Sequence, residues 1–123
     1  MLKRSQADGV CTLTLARPER GNALGPDLVE ALLDAVQQAS TDDTVHTLLL
    51  RGDGRHFCTG LDLSDLDHCR DGDLLQRLVR IETLLAALWH APVRTVALAQ
   101  GRTWGAGADL FATCEDRKST RLN

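Results

Sequence analysis

The chain reads as an α/β protein with largely parallel crossovers, and three observations predict it. Strand-like apolar runs alternate with longer stretches of helical periodicity. The run at residues 45–50 (VHTLLL) is almost continuously apolar, as strands of buried parallel sheets are. Glycine-bearing turns follow this run and the later one at residues 93–99 (VRTVALA). The order is strand, helix, strand, loop, helix, strand, helix, the alternation that builds βαβ units.

Residues 9–16 alternate Val10, Thr12 and Thr14 against Cys11, Leu13 and Leu15, the period of a half-buried strand. Residues 17–25 (RPERGNALG) hold a proline and two glycines and predict a loop. Pro26 suits a first helical turn. Leu28, Leu32, Val36 and Ala39, widened by Val29 and Leu33, then form one apolar stripe. Residues 40–44 end that helix. After the turn at 51–54 and a loop, Asp71, Gly72 and Asp73 break the chain, and Asp73 with Gln76 has capping-box spacing. Leu74, Leu78, Ile81, Leu85 and Leu88 mark one face of a helix reaching Trp89, which Pro92 stops. A strand at 93–99, a turn at Gly101 and a helix at 106–114 complete the pattern.

With 123 residues, 43% hydrophobic and 25% charged, the composition fits one soluble domain or part of one. No apolar run approaches the roughly 18–20 residues that span a bilayer. The N-terminus (MLKRSQADG) lacks the apolar stretch of a secretory signal. A net charge of −3 gives no basic field for nucleic acid. Cys11, Cys58, Cys69 and Cys114 have no CxxC spacing and no metal pattern with the four histidines, so reduced thiols in a cytoplasmic protein are expected, and no metal. Two Phe, two Trp and no Tyr argue against extended aromatic stacking surfaces.

Residues 116–123 (DRKSTRLN) are polar, basic and aperiodic. They are similar to the translation of GAT CGG AAG AGC ACA CGT CTG AAC, part of a common sequencing-library adapter. The segment is therefore set aside as a non-native tail. Residues 1–115 are expected to be the N-terminal part of a longer domain.

Two segments carry chemistry, residues 55–62 (RHFCTGLD) and 100–110 (QGRTWGAGADL), each after a strand. Two glycine-bearing turns at the ends of adjacent strands can aim two backbone N–H groups at one point. Such a pair stabilises an oxyanion.

Taken together, LTLARPERGNAL, HFCTGLDL and ALAQGRTWGAGADLFATC resemble the enoyl-CoA hydratase/isomerase (crotonase) superfamily, in its order and spacing over residues 8–115. The resemblance implies a spiral of β-β-α units, here truncated. It implies an acyl-CoA thioester substrate, with coenzyme A part of that substrate and no separate cofactor. It also implies a full-length homotrimer or homohexamer. The thioester oxygen would accept the N–H groups of Leu61, after Gly60, and Ala106, between Gly105 and Gly107. Gly60, Gly105 and Gly107 would let backbone approach the ligand closely. Many members carry glycine where Ala106 stands, and the added β-carbon restricts φ. Asp109 matches the first catalytic acid of hydratases and the aspartate of dienoyl-CoA isomerases, and a carboxylate there can shuttle a proton if a partly apolar site tunes its pKa. The second hydratase acid would fall past residue 115, so the chain as written is expected to be inactive as a hydratase.

Other residues weigh less. His56 reads as a partly exposed loop histidine, Cys58 as a packed thiol rather than a nucleophile, and Asp62, Asp65 and Asp67 as solvated. Arg17 and Arg55 could meet coenzyme A phosphates electrostatically. Two rivals stand beside the hydratase reading: an enoyl- or dienoyl-CoA isomerase, and a non-catalytic acyl-CoA-binding member. Dinucleotide binding fails because Leu110 replaces the third glycine of G-x-G-x-x-G.

Overall fold

The computed structural model describes residues 1–120. Five strands form one sheet in sequence order: β1 (Leu2–Ala7), β2 (Val10–Leu15), β3 (Thr47–Gly52), β4 (Arg94–Gln100) and β5 (Asp116–Thr120). β1 and β2 form an antiparallel hairpin, and every later neighbour is parallel. The crossovers are α1 (Pro26–Thr41), α2 (Asp71–Trp89) and α3 (Ala106–Thr113). Strands added one beside the next through right-handed crossovers leave all their helices on one face. α1 accordingly packs on α2, and α2 on α3.

The core lies between that helical layer and the sheet. Cys11, Leu13 and Leu15 of β2, Leu48 and Leu50 of β3, and Ala97 and Ala99 of β4 point inward. They meet Leu28, Leu32, Val36 and Ala39 of α1, the stripe expected from the sequence, and Ile81, Leu84 and Leu88 of α2. Each fully buried Leu or Val removes enough apolar surface from water to stabilise by about 1.5–3 kcal/mol.

Three expectations change. β1 was not foreseen, because its residues (LKRSQA) are mostly exposed at the sheet edge and register pairing, not burial, defines it. Residues 116–120 of the segment set aside as a tail pair with β4 through their main chain as β5, a pairing that does not bear on whether the segment is native; residues 121–123 lie outside the described residues. α2 begins at Asp71, with Arg70 at its cap and no side-chain cap, so the capping box does not form. Asp71 and Asp73 instead stand in the first turn, where the positive helix end favours them. Finally, the parallel strands are not buried on both sides. Leu49, Val96 and Leu98 are only half-buried, because helices cover one face alone.

Candidate active site

The loop after β3 is fixed before any ligand enters. Asn22 is fully buried with φ 55°, in the left-handed region that asparagine tolerates. Its Oδ1 accepts the Arg17 N–H at 2.8 Å. Its Nδ2 donates to the carbonyls of Asp53 and His56, both at 2.9 Å. One amide thus ties the loop before α1 to the loop after β3. Gln100 adds Nε2 bonds to the carbonyls of Gly52 (2.7 Å) and Gly54 (3.1 Å).

From Phe57 onward the loop is laced on both sides. Phe57 N–H and Cys58 N–H donate to the carbonyls of Gln100 and Arg102, and Trp104 N–H donates back to Cys58. On the other side Thr59 N–H reaches Gly21, Leu24 N–H reaches Gly60 and Asp62 N–H reaches Leu24. Leu24 and Leu61 are therefore parallel bridge partners. In such a bridge the Leu61 N–H points away from Leu24, toward the segment leading into α3.

Ala106 opens α3 on that side. A β-carbon built on Gly60 would lie 3.9 Å from Ala106 N and 3.1 Å from the Trp104 carbonyl oxygen. One built on Gly105 would lie 4.0 Å from the Gly60 Cα. Among the described residues neither Leu61 N–H nor Ala106 N–H has an acceptor within the chain, whereas Gly107 N–H and Asp109 N–H donate to Trp104 and Gly105. Two open amides thus flank Gly60, one at the start of a helix whose positive end faces the same space.

The glycines differ in what demands them. Gly60 (φ 105°) and Gly105 (φ 52°) occupy backbone conformations that a β-carbon disfavours. Gly107 is buried, and a β-carbon there would fall 2.3 Å from the Cys58 carbonyl oxygen. Packing of α3 on the loop by itself therefore demands glycine at this position. Ala106 needs no left-handed φ, so its extra methyl leaves the helical backbone unstrained.

Asp109 lies three residues past Ala106 on the first turn of α3, on the same side of the helix. It is exposed and, among the described residues, its carboxylate has no hydrogen bond or ion pair. Cys58 is fully buried, and burial pushes its thiol up to about 11, leaving a neutral packing group at neutral pH. His56 Nδ1 accepts the Arg102 N–H at 2.9 Å, a bond between the two loops. Asp62 accepts the Ser64 N–H, which holds it below the usual carboxylate range, with Arg17 4.0 Å away. Asp65 takes both arms of the Arg77 guanidinium (2.8 and 2.6 Å), which brings it down to about 2.

A cavity of about 340 Å³ lies between the C-terminal end of α2 and the end of α3, lined by Leu88, Trp89, Val93, Cys114 and Arg117. Another of about 140 Å³ lies between α1 and α2, lined by Leu24, Pro26, Val29, Arg77 and Ile81. Neither reaches Leu61, Ala106 or Asp109.

Residues 5–117 match the enoyl-CoA hydratase/isomerase family. The chain belongs to that family. This enoyl-CoA hydratase/isomerase family chain is 35% identical over 112 residues to enoyl-CoA hydratase AKT6-1 of Alternaria alternata, covering 91% of itself and 37% of that protein. It is 38% identical over 112 residues to trans-2-decenoyl-(acyl-carrier-protein) isomerase of Streptococcus mutans, covering 88% of itself and 43% of the relative. Its fold matches the crystal structure of an enoyl-CoA hydratase/isomerase family protein from Silicibacter pomeroyi with a TM-score of 0.90 at 33% identity, over 98% of this chain and 50% of that one. The chain therefore spans about half the length of the relatives it matches, or less.

Asn22 is the residue of this family chain that sequence reasoning passed over. The signal was present: a polar residue beside glycine in a loop where an apolar segment resumes. Only the fold reveals that three backbone groups converge on it.

Proposed function

We propose that the full-length protein binds an acyl-CoA thioester and stabilises its enolate between the N–H groups of Leu61 and Ala106. The observation that carries this reading is the pair of amides on either side of Gly60 that have no partner among the described residues, at the ends of segments laced by backbone bonds. Adding water across a double bond, moving that bond or removing an α-proton all build charge on the thioester oxygen. Fixed donors facing that charge need little reorganisation and contribute about 3 kcal/mol each to lowering the barrier. The substrate brings its own coenzyme A, so the reading needs no separate cofactor. Gly60 and Gly105 admit the thioester, and Gly107 seats the helix that carries Ala106.

Asp109 is proposed as the proton-transferring carboxylate, one helical turn from Ala106. In this reading a hydratase needs a second acid beyond residue 115, and the chain as written does not hydrate. Assembly as a homotrimer or homohexamer in the cytoplasm belongs to the same proposal. Isomerisation is the second reading, favoured by the aspartate itself and by isomerases among the relatives. A non-catalytic acyl-CoA-binding member is the third.

The test is full-length protein with crotonyl-CoA, followed by the absorbance of the conjugated thioester. A falling signal marks hydration. An unchanged signal with double-bond migration in a 3-enoyl-CoA marks an isomerase. Calorimetric binding of butyryl-CoA without either reaction marks a binding module, and no binding at all rejects the proposal.

A further inference from the structure

The main chain of Trp104 borders Gly60, its carbonyl oxygen 3.1 Å from where a β-carbon on Gly60 would stand, and its side chain is about half exposed, at 54%. The chain has four aromatic side chains. Phe57 is fully buried and meets Phe111 edge-on at 6.5 Å inside the core, while Trp89 closes the far end of α2. Trp104 is thus the aromatic next to the candidate site, and its ring is held in place. The Arg102 guanidinium lies 4.5 Å from its ring centroid, a cation–π stack that occupies one face. The main chain is fixed as well: Trp104 N–H donates to Cys58 at 3.0 Å and its carbonyl accepts Gly107 N–H at 2.8 Å. An ordered indole with open surface, two residues before the Ala106 amide, can accept a second planar group at little further entropic cost.

We propose that the Arg102–Trp104 stack is a specificity element that favours acyl groups carrying an aromatic ring, the ring packing on the indole while the thioester oxygen lies between Leu61 and Ala106. The inference rests on the acyl-CoA reading above. It requires one stacking contact rather than an extended aromatic surface, so the aromatic-poor composition does not oppose it.

The experiment measures calorimetric binding of two saturated thioesters of similar size, 3-phenylpropanoyl-CoA and octanoyl-CoA, to full-length protein. Saturation removes turnover from the reading. The wild type is expected to favour the phenyl thioester about fivefold. Trp104→Phe should retain most of that preference, read as the ratio of the two affinities, and Trp104→Leu should bring the ratio to about one. Equal affinities in the wild type, or a preference unchanged in Trp104→Leu, overturn the proposal. If Trp104→Leu does not fold, Trp104→Ser and Arg102→Gln decide: Trp104→Ser should abolish the preference and Arg102→Gln should weaken it, and a preference that neither alters overturns it. Binding of octanoyl-CoA without aromatic preference leaves the acyl-CoA reading standing. Binding of neither thioester removes both.

Discussion

The carbonyl oxygen of Cys58 occupies the space that a β-carbon on Gly107 would need, 2.3 Å from its ideal position. The helix that begins at Ala106 and the loop that carries Leu61 are in backbone contact there, so their spacing is set by the absence of one methyl group. Gly107→Ala forces the two apart, with an overpacking cost of about 1–3 kcal/mol. In the full-length protein the denaturant midpoint is expected to fall. Thioester affinity should fall with it, because the two amides would no longer share an acceptor. An unchanged midpoint would mean that the helix is free to shift.

Asn22 is expected to be as sensitive. Asn22→Ala leaves the Arg17 N–H and the carbonyls of Asp53 and His56 without their side-chain partners. Each buried unsatisfied group costs about 1–3 kcal/mol, and alanine also tolerates the positive φ poorly. Asn22→Gly relieves φ but not the lost bonds. Thermal melts should therefore order wild type above Asn22→Gly above Asn22→Ala.

Asp109→Asn should lower turnover at least about tenfold while leaving acyl-CoA binding largely intact, since the amide keeps the shape but not the proton transfer. Steady-state kinetics alongside calorimetry separates the two effects. A rate equal to the wild type removes Asp109 from the mechanism.

The buried thiols set an alkaline limit. Burial raises Cys58 and Cys114 from 9.0 to about 11 in the fold. The folded state therefore holds these protons more tightly than the unfolded one, and their contribution is complete below about pH 9. It is lost as pH rises through about 11. Stability measured by denaturant should decline across that window. Both thiols should resist alkylation at pH 8 until the chain unfolds, and rapid labelling of the folded protein would contradict this.

The short chain should associate. Leu63, Leu66, Leu75, Leu78, Val79 and Trp89 are all exposed apolar side chains, most of them on α2 or the loop before it. Apolar surface of that kind favours self-association. Light scattering on the purified 123-residue chain should report species above the monomer; a monodisperse monomer with a sharp thermal transition would refute it.

Much of this was legible in the residues themselves. Period-two alternation fixed β2, and the stripe from Leu28 to Ala39 fixed α1 and its buried face, because side-chain direction follows from backbone period alone. The glycines at 60 and 105 marked the two turns, since few other residues adopt positive φ. The stripe on α2 was only half informative. Ile81, Leu84 and Leu88 are buried, whereas Leu78 on the expected face is exposed. Burial depends on what lies opposite, and periodicity does not encode that. The edge strands β1 and β5 escaped notice because main-chain pairing, which any sequence can make, holds them.

Local sequence determined the three helices and the strands β2, β3 and β4 in this protein, where its core-facing stripe on α1 lies, and where the glycine-bearing turns after β3 and β4 fall. The tertiary structure alone decided that Leu61 and Ala106 flank one glycine, that Asn22 joins three backbone groups, and that the Cys58 carbonyl leaves no room for a β-carbon on Gly107. Those facts are relations between residues tens of positions apart, and only the folding of the chain brings such atoms within a few ångströms of each other.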